Sequence, residues 1–296
     1  MLNAISVDVE EYFHPSELHI PIDQWESLPS RIEQQTLRTL ELFDRRGVKA
    51  TFFILGWVAE KHPGVVRNIL AAGHEIGCHS YAHELVYRQT PAEFRSDTLR
   101  AIDCIASAGG VRPRAYRAPS YSVILESFWA LEILVECGFT HDSSIYPIAH
   151  DRYGVPGFGR HAHTLHTPAG PLLEIPITTV ELSEDRIAPI GGGGYLRLLP
   201  YAYTSAGMRA VNRKERKPAC IYFHPWEIDP DQPRLANGWV SRVRTYMGLK
   251  GMYHKLDRLM TEFHFSTLTA VFGAADFASD HSRGRTATGH PQIVSL

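Results

Sequence analysis

The chain has 296 residues, 44% hydrophobic and 21% charged, with 30 Lys and Arg against 32 Asp and Glu for a net charge of -2. These values suit one large domain, or two ordinary ones, with a sizeable core, and they exclude collagen-like, fully disordered and small disulfide-scaffold classes. The near-neutral balance gives no argument for nucleic acid or an anionic membrane as the main partner.

In chain order, Leu2 to Val7 reads as a strand. Ser30-Arg31-Ile32-Glu33 has capping-box spacing and opens a helix ending near Gly47. The continuous β-branched and aromatic run from Lys49 to Leu55 predicts a strand covered on both faces. A helix over Val65–Ala72 closes at Gly73, and a short strand runs from Glu75 to Cys78. Thr90-Pro91-Ala92-Glu93 is a second capping box, with proline at the first helical position. Arg114 to Ala118 reads as a strand, and Glu126 to Cys137 as a helix capped by Gly138. Strands are expected near Phe139–Asp142, Leu172–Thr178 and Ala219–Phe223, then a helix near Met252–Glu262 and a strand at Ser266–Val271.

Two stretches read as irregular: Asp142–Gly170, rich in Gly, Pro and His, and Gly191-Gly192-Gly193-Gly194. The alternation predicts an α/β fold with a mostly parallel sheet, open or closed into a barrel, and ligands at the C-terminal strand ends. Residues 1–273 are expected to form one domain, followed by a flexible polar tail over 274–296.

Cys78, Cys104, Cys137 and Cys220 form no Cys-x-x-Cys pair and read as reduced thiols. The N-terminus shows no basic n-region, so no signal peptide is expected and the chain is placed in the cytoplasm. No apolar run approaches the ~18–20 residues that span a bilayer.

Histidine is the outlier at 16 residues, and imidazole is both a common metal ligand and a proton carrier. His79 and His83 stand at i and i+4 after a predicted strand. On a helix both rings would share one face and could bind one divalent ion, with surface histidines as the alternative. Asp8-Val9-Glu10 ends the first strand, so its two carboxylates project the same way. One could ligate a cation while the other serves as a base, or both could be solvated acids in a turn.

Arg117 lies at another strand end, where an arginine can clasp a carboxylate. The backbone after Pro119 can present N–H groups to an oxyanion. Asp142 and His224 each end a strand, and an aspartate that fixes a histidine tautomer makes it a competent proton donor.

In chain order, Asp8-Val9-Glu10, His79-Ser80-x-x-His83, Arg117-x-Pro119, Asp142 and His224 resemble the NodB-homology polysaccharide deacetylases, also called carbohydrate esterase family 4. The resemblance implies a distorted (β/α)7-type barrel with insertions and removal of N-acetyl groups from an N-acetylated saccharide. It implies Asp8 as general base and Glu10, His79 and His83 as ligands of one divalent ion, Zn2+ or else Co2+, Mn2+, Ni2+ or Fe2+. It further implies Arg117 orienting Asp8, the Tyr121 amide as oxyanion donor, and Asp142 tuning His224 as general acid. Two segments, Gly191 to Arg197 and Tyr222 to Glu227, look like a subfamily encoded with exopolysaccharide systems.

Two departures stand out. A valine separates the first-motif carboxylates, and Ile145 and Tyr146 replace the usual tryptophan after the fourth motif. Tyr12, Phe13, Tyr121 and Trp226 are candidates for sugar stacking or for core packing.

Two histidines and a carboxylate also describe non-haem Fe(II) oxygenases, but those usually sit on jelly rolls. His161-Ala162-His163 mimics the amidohydrolase pair but falls in an apparent loop. An allantoinase-like hydrolase of a small amide and a non-catalytic glycan-binding barrel remain the alternatives. The expected partner is the saccharide, with no nucleic acid and no transmembrane segment, and self-association into a homo-oligomer is left open.

Overall fold

Strand β1 (Leu2–Val9) is buried at every residue except Leu2. The chain is described as a computed structural model over residues 1–150, 152–183, 186–273 and 292–293. The expectation of a flexible tail therefore lies almost wholly outside the described residues.

After β1 come α1 (Ile32–Arg46), β2 (Thr51–Ile54), α2 (Gly56–Lys61), α3 (Pro63–Ala71), β3 (Glu75–Cys78), α4 (Pro91–Gly109), β4 (Ala115–Tyr116), α5 (Trp129–Glu136), β5 (His141–Asp142), β6 (His163–Thr167) and β7 (Gly170–Glu174). The second half adds β8 (Thr179–Ser183), β9 (Arg186–Pro189), α6 (Gly193–Leu198), α7 (Tyr201–Ala210), β10 (Cys220–Phe223), α8 (Trp239–Tyr246), α9 (Leu249–Glu262), β11 (His264–Ser266) and α10 (Leu268–Phe272).

The strands run β10-β1-β2-β3-β4-β5-β7, with parallel pairing throughout. Beyond β7 the chain returns to β10. The Thr178 N–H donates to the Cys220 carbonyl at 3.1 Å, and the Tyr222 N–H to the Gly191 carbonyl at 2.7 Å. These bonds close the strands into a distorted barrel, in agreement with the α/β barrel expected from sequence. The glycine run exists for this closure. A Cβ on Gly192, whose φ is 139°, would lie 1.9 Å from the Tyr222 carbonyl oxygen, a clash only glycine avoids.

Period-two alternation along β1 then divides the core. Ile5, Val7 and Val9 pack outward in the large cluster that includes the helices. Ala4 joins Phe53, Ala115, Tyr121, Leu173 and Tyr222 in a second cluster. On the Ala4 side of β1 the next alternate residues are Ser6 and Asp8, and Glu10 continues the series past the strand end.

Four sequence expectations change. The strand expected at Ser266–Val271 is β11 followed by α10, because Thr267 acts as an N-cap, its Oγ1 accepting from the Ala270 N–H at 3.1 Å. The Ser30–Glu33 box does not form. Instead Glu11 Oε1 accepts from the N–H groups of Arg31 at 2.8 Å and Ile32 at 3.0 Å, so a remote carboxylate caps α1. The stretch read as irregular contains β6, which forms a hairpin with β7. Gly191–Gly194 likewise gives way to α6. The Thr90–Glu93 box is present as expected.

Candidate active site

Glu10, His79 and His83 offer ligand atoms that all lie within 4.8 Å of one another, and all three are buried. Both Nε2 atoms stand 2.9 Å from Glu10 Oε1. Nδ1 of His79 lies 2.8 Å from the carbonyl of Arg117, which can only accept, so Nδ1 carries a proton and Nε2 is the ring nitrogen turned towards Glu10. Burial alone would raise the Glu10 pKa. His83 and His224, with hydrogen bonds from His79 and His83, outweigh it and hold the carboxyl well below its ordinary value. A dry carboxylate facing two Nε2 atoms is a donor set suited to a divalent cation.

The histidines are not on a helix. β3 ends at Cys78, and the segment after it turns through Ser80 at φ 63° and His83 at φ 54°, bringing the ring centroids to 5.3 Å. Asp97 on α4 holds this turn, its carboxylate accepting from the N–H groups of Tyr81 at 2.8 Å and Ala82 at 3.1 Å. Ser80 Oγ accepts from the His83 N–H at 3.1 Å. These bonds support the left-handed backbone that non-glycine residues rarely adopt.

Asp8 lies beside this trio. Arg117, fully buried, donates through Nη1 to Asp8 Oδ1 at 2.7 Å and to Ser6 Oγ at 2.8 Å. Its remaining donors reach the Ser143 carbonyl at 3.2 Å and Ser143 Oγ at 2.9 Å. Burial opposes the guanidinium charge, but Asp8 outweighs it and Arg117 stays protonated. With Oδ1 engaged, Asp8 Oδ2 is the oxygen facing His224, whose Nε2 is 4.0 Å away.

Nδ1 of His224 faces Glu227 Oε2 at 3.0 Å, and Glu227 Oε1 accepts from Arg197 Nε at 2.9 Å. Burial works against charge on His224. Glu10, then Glu227 and Asp8, overcome it and push the imidazole up to about 9. The ring also stacks on Trp226, with centroids 5.1 Å apart and planes at 21°.

Asp142 does not take the position behind His224 expected of it. It accepts from Ser144 Oγ at 2.5 Å and faces Glu174 across a buried carboxyl pair. β5 is only two residues long and pairs in register with β7, setting Asp142 opposite Glu174, so the carboxyl is occupied there. Burial, followed by the Asp142 charge, raises the Glu174 pKa well above its ordinary value. Burial and the shared site thus favour retention of a proton by the pair.

The Tyr121 N–H, expected to face an oxyanion, donates to the Ala118 carbonyl at 3.1 Å. Ser120 at φ 51° and Tyr121 at φ 53° are both left-handed, so the loop is strained at the mouth of the site. Tyr121 and Trp226 line the cavity, whereas Tyr12 and Phe13 belong to the core. The residues replacing the usual tryptophan, Ile145 and Tyr146, are fully buried.

Sequence reasoning missed Glu227, Arg197 and Asp97. The first two lay inside segments singled out only as subfamily marks. The cavity over the site is about 340 Å3 and is lined by Asp8, Glu10, Tyr87, Tyr153, Tyr195 and His224 among others.

Residues 23–140 match the family described as polysaccharide deacetylase. Those residues carry a polysaccharide deacetylase domain. Residues 143–273 match a second family, a domain of unknown function designated DUF3473. The site draws on both: His79, His83 and Arg117 come from the deacetylase match, and Arg197, His224 and Glu227 from the second. Asp8 and Glu10 precede the deacetylase match.

The domain is similar to the peptidoglycan-N-acetylglucosamine deacetylase of Bacillus cereus, 36% identical over 99 residues, which are 33% of this chain and 36% of that protein. It is also similar to the chitooligosaccharide deacetylase of a Bradyrhizobium species, 36% identical over 81 residues, 27% of this chain and 37% of the relative. The matched stretch thus spans about a third of each relative's length.

A Mycobacterium smegmatis chain assigned to the polysaccharide deacetylases superposes with TM-score 0.63 at 20% identity, covering 99% of this chain and 94% of that one. Puue allantoinase does so with TM-score 0.62 at 17% identity, covering 91% and 88%. At these identities both show a shared fold alone.

Proposed function

We propose that the protein is a divalent-metal-dependent N-deacetylase that hydrolyses the acetamide of an N-acetylated saccharide. The observation that carries this reading is the convergence of Glu10, His79 and His83 between a clasped carboxylate, Asp8, and a cationic imidazole, His224. The relatives named as deacetylases of N-acetylated glycans support the substrate class.

Glu10, His79 and His83 would hold the ion, for which we favour zinc because the donor set is two imidazoles and a carboxylate. Bound there, the ion would supply Lewis acidity towards the acetyl oxygen and a lowered pKa for water. Asp8, clasped by Arg117 through Oδ1, takes the proton from the attacking water at Oδ2. His224 enters protonated and gives its Nε2 proton to the departing amine as the C–N bond breaks, leaving acetate and a free amino sugar. Glu227 stabilises the imidazolium and fixes its tautomer, the role assigned from sequence to Asp142. The Tyr121 amide can stabilise the oxyanion only if its bond to Ala118 opens, so we assign it no firm part.

We further propose a role in exopolysaccharide biosynthesis, resting on the Gly191–Arg197 and Tyr222–Glu227 segments, which the fold joins through the Arg197–Glu227 pair. The free cysteines accord with a reducing compartment, and among the described residues no helix is long and apolar enough to cross a membrane. The test is mass-spectrometric detection of acetate loss from N-acetylglucosamine oligomers. A deacetylase lowers each product by one acetyl group, and an unchanged panel rejects the reading.

A further inference from the structure

We propose that Trp239 is the platform of a second sugar subsite, adjoining the catalytic cavity and binding a glycan chain that extends beyond the acetamide being cleaved. The inference rests on the deacetylase reading for its ligand and on the following geometry for its place. At 77% exposure Trp239 is the most exposed of the large hydrophobic residues among those described. It opens α8, where Gly238 at φ 79° and ψ 155° turns the chain into the helix. A cavity of about 330 Å3 lies against it, lined by Glu17, Asn237, Trp239, Ser241 and Arg244. Glu17 and Arg244 also line the catalytic cavity, so the two spaces adjoin across a shared wall. That wall is fixed by the ion pair between Glu17 and Arg152 at 2.8 Å.

The chemistry of the lining selects a carbohydrate. An exposed indole presents a flat apolar face for the C–H face of a pyranose, and Trp is the side chain that most often anchors a binding surface. Beside it the Asn237 side-chain amide and the Glu17 and Arg244 side chains line the cavity with groups that donate to or accept from sugar hydroxyls. A purely apolar partner would cover these groups without offering them a hydrogen bond. Trp239 lies within the matched domain of unknown function, which thereby gains a stated role: completing the saccharide groove.

The test compares wild type, Trp239→Ala and Trp239→Phe on N-acetylglucosamine dimer and hexamer, with calorimetric titration of the hexamer alongside. The hexamer-to-dimer ratio of kcat/KM is expected to fall about tenfold in the alanine variant and to return to within about twofold in the phenylalanine variant, with the hexamer Kd following the same order. Because Trp239 is so exposed, the alanine variant is expected to fold, and circular dichroism checks this. An unchanged ratio and an unchanged Kd overturn the subsite. An unchanged ratio with lost sedimentation on phosphatidylglycerol vesicles also overturns it, in favour of a lipid contact. If no oligomer releases acetate from wild type, the deacetylase reading fails, and the calorimetric comparison still decides the subsite.

Discussion

Glu227 Oε2 sits 3.0 Å from His224 Nδ1, three residues along the same turn, and its other oxygen is held by Arg197 at 2.9 Å. The proposed general acid, His224, is therefore positioned from its own segment rather than from the distant strand that carries Asp142. Burial alone would raise the Glu227 pKa, but His224 and Arg197 hold it below the ordinary carboxylate value. A cation on Glu10 would weaken that residue's pull on His224, leaving Glu227 as the carboxylate that sustains the imidazolium.

Glu227→Gln is expected to lower kcat about 10- to 100-fold with little change in KM. Removing the negative charge lowers the His224 pKa, so the alkaline limb of the kcat profile moves to lower pH. Asp142→Asn leaves that limb in place. A rate–pH profile of the two variants checks this, and a limb that moves only in Asp142→Asn returns the positioning role to Asp142.

Metal binding and catalysis separate by residue. His79→Ala is expected to lose both the ion and turnover, measured by elemental analysis of the dialysed protein. Asp8→Asn keeps the ion and lowers kcat by about 100-fold or more, since only the base is lost. Full activity in Asp8→Asn would show that another group accepts the proton.

The turn that presents the histidines depends on a carboxylate outside it. Asp97→Ala leaves the Tyr81 and Ala82 N–H groups without their acceptor and frees a strained backbone. Metal affinity is expected to fall about 10- to 100-fold, as for lost supporting contacts at other metal sites. Competition with a chelating dye measures it, and an unchanged affinity would show that the turn holds itself.

The Asp142–Glu174 pair predicts a pH dependence of stability. The folded pKa of Glu174 is raised by burial and then by Asp142, so the folded state retains a proton that the unfolded chain releases near 4.5. The stability is therefore fully present below that value and is lost as pH rises through the folded pKa, at up to ~1.4 kcal/mol per pH unit. Glu174→Gln, a permanent mimic of the neutral acid, should flatten this slope in urea titrations between acid and neutral pH. Parallel slopes in the two proteins would refute the shared proton.

What was legible from sequence was what local pattern encodes. The alternation of strand and helix signals gave an α/β fold with a mostly parallel sheet, the family resemblance gave its closure into a barrel, and strand-end positions gave Asp8, Glu10, Arg117 and His224 as candidates. The histidine pair was recognised although its geometry was not, because i,i+4 spacing cannot distinguish a helix from a turn pinned by Asp97 of another element. Glu11, next to the first-motif carboxylates, caps α1 from 20 residues away, and no local motif encodes that. Asp142 was misassigned because order along the chain says nothing about which acid a strand pairing places opposite it. Glu227 stood within a recognised segment, three residues after His224, yet only the turn after β10 shows that its carboxylate folds back onto the ring.

The central claim is that one ion held by Glu10, His79 and His83 is needed to cleave an acetamide. The direct measurement is acetate release from N-acetylglucosamine hexamer while zinc is titrated back into chelator-treated protein. The account predicts no release without metal and a linear rise that levels at one equivalent, absent in His79→Ala. Release that survives chelation, or that His79→Ala supports equally, would contradict it.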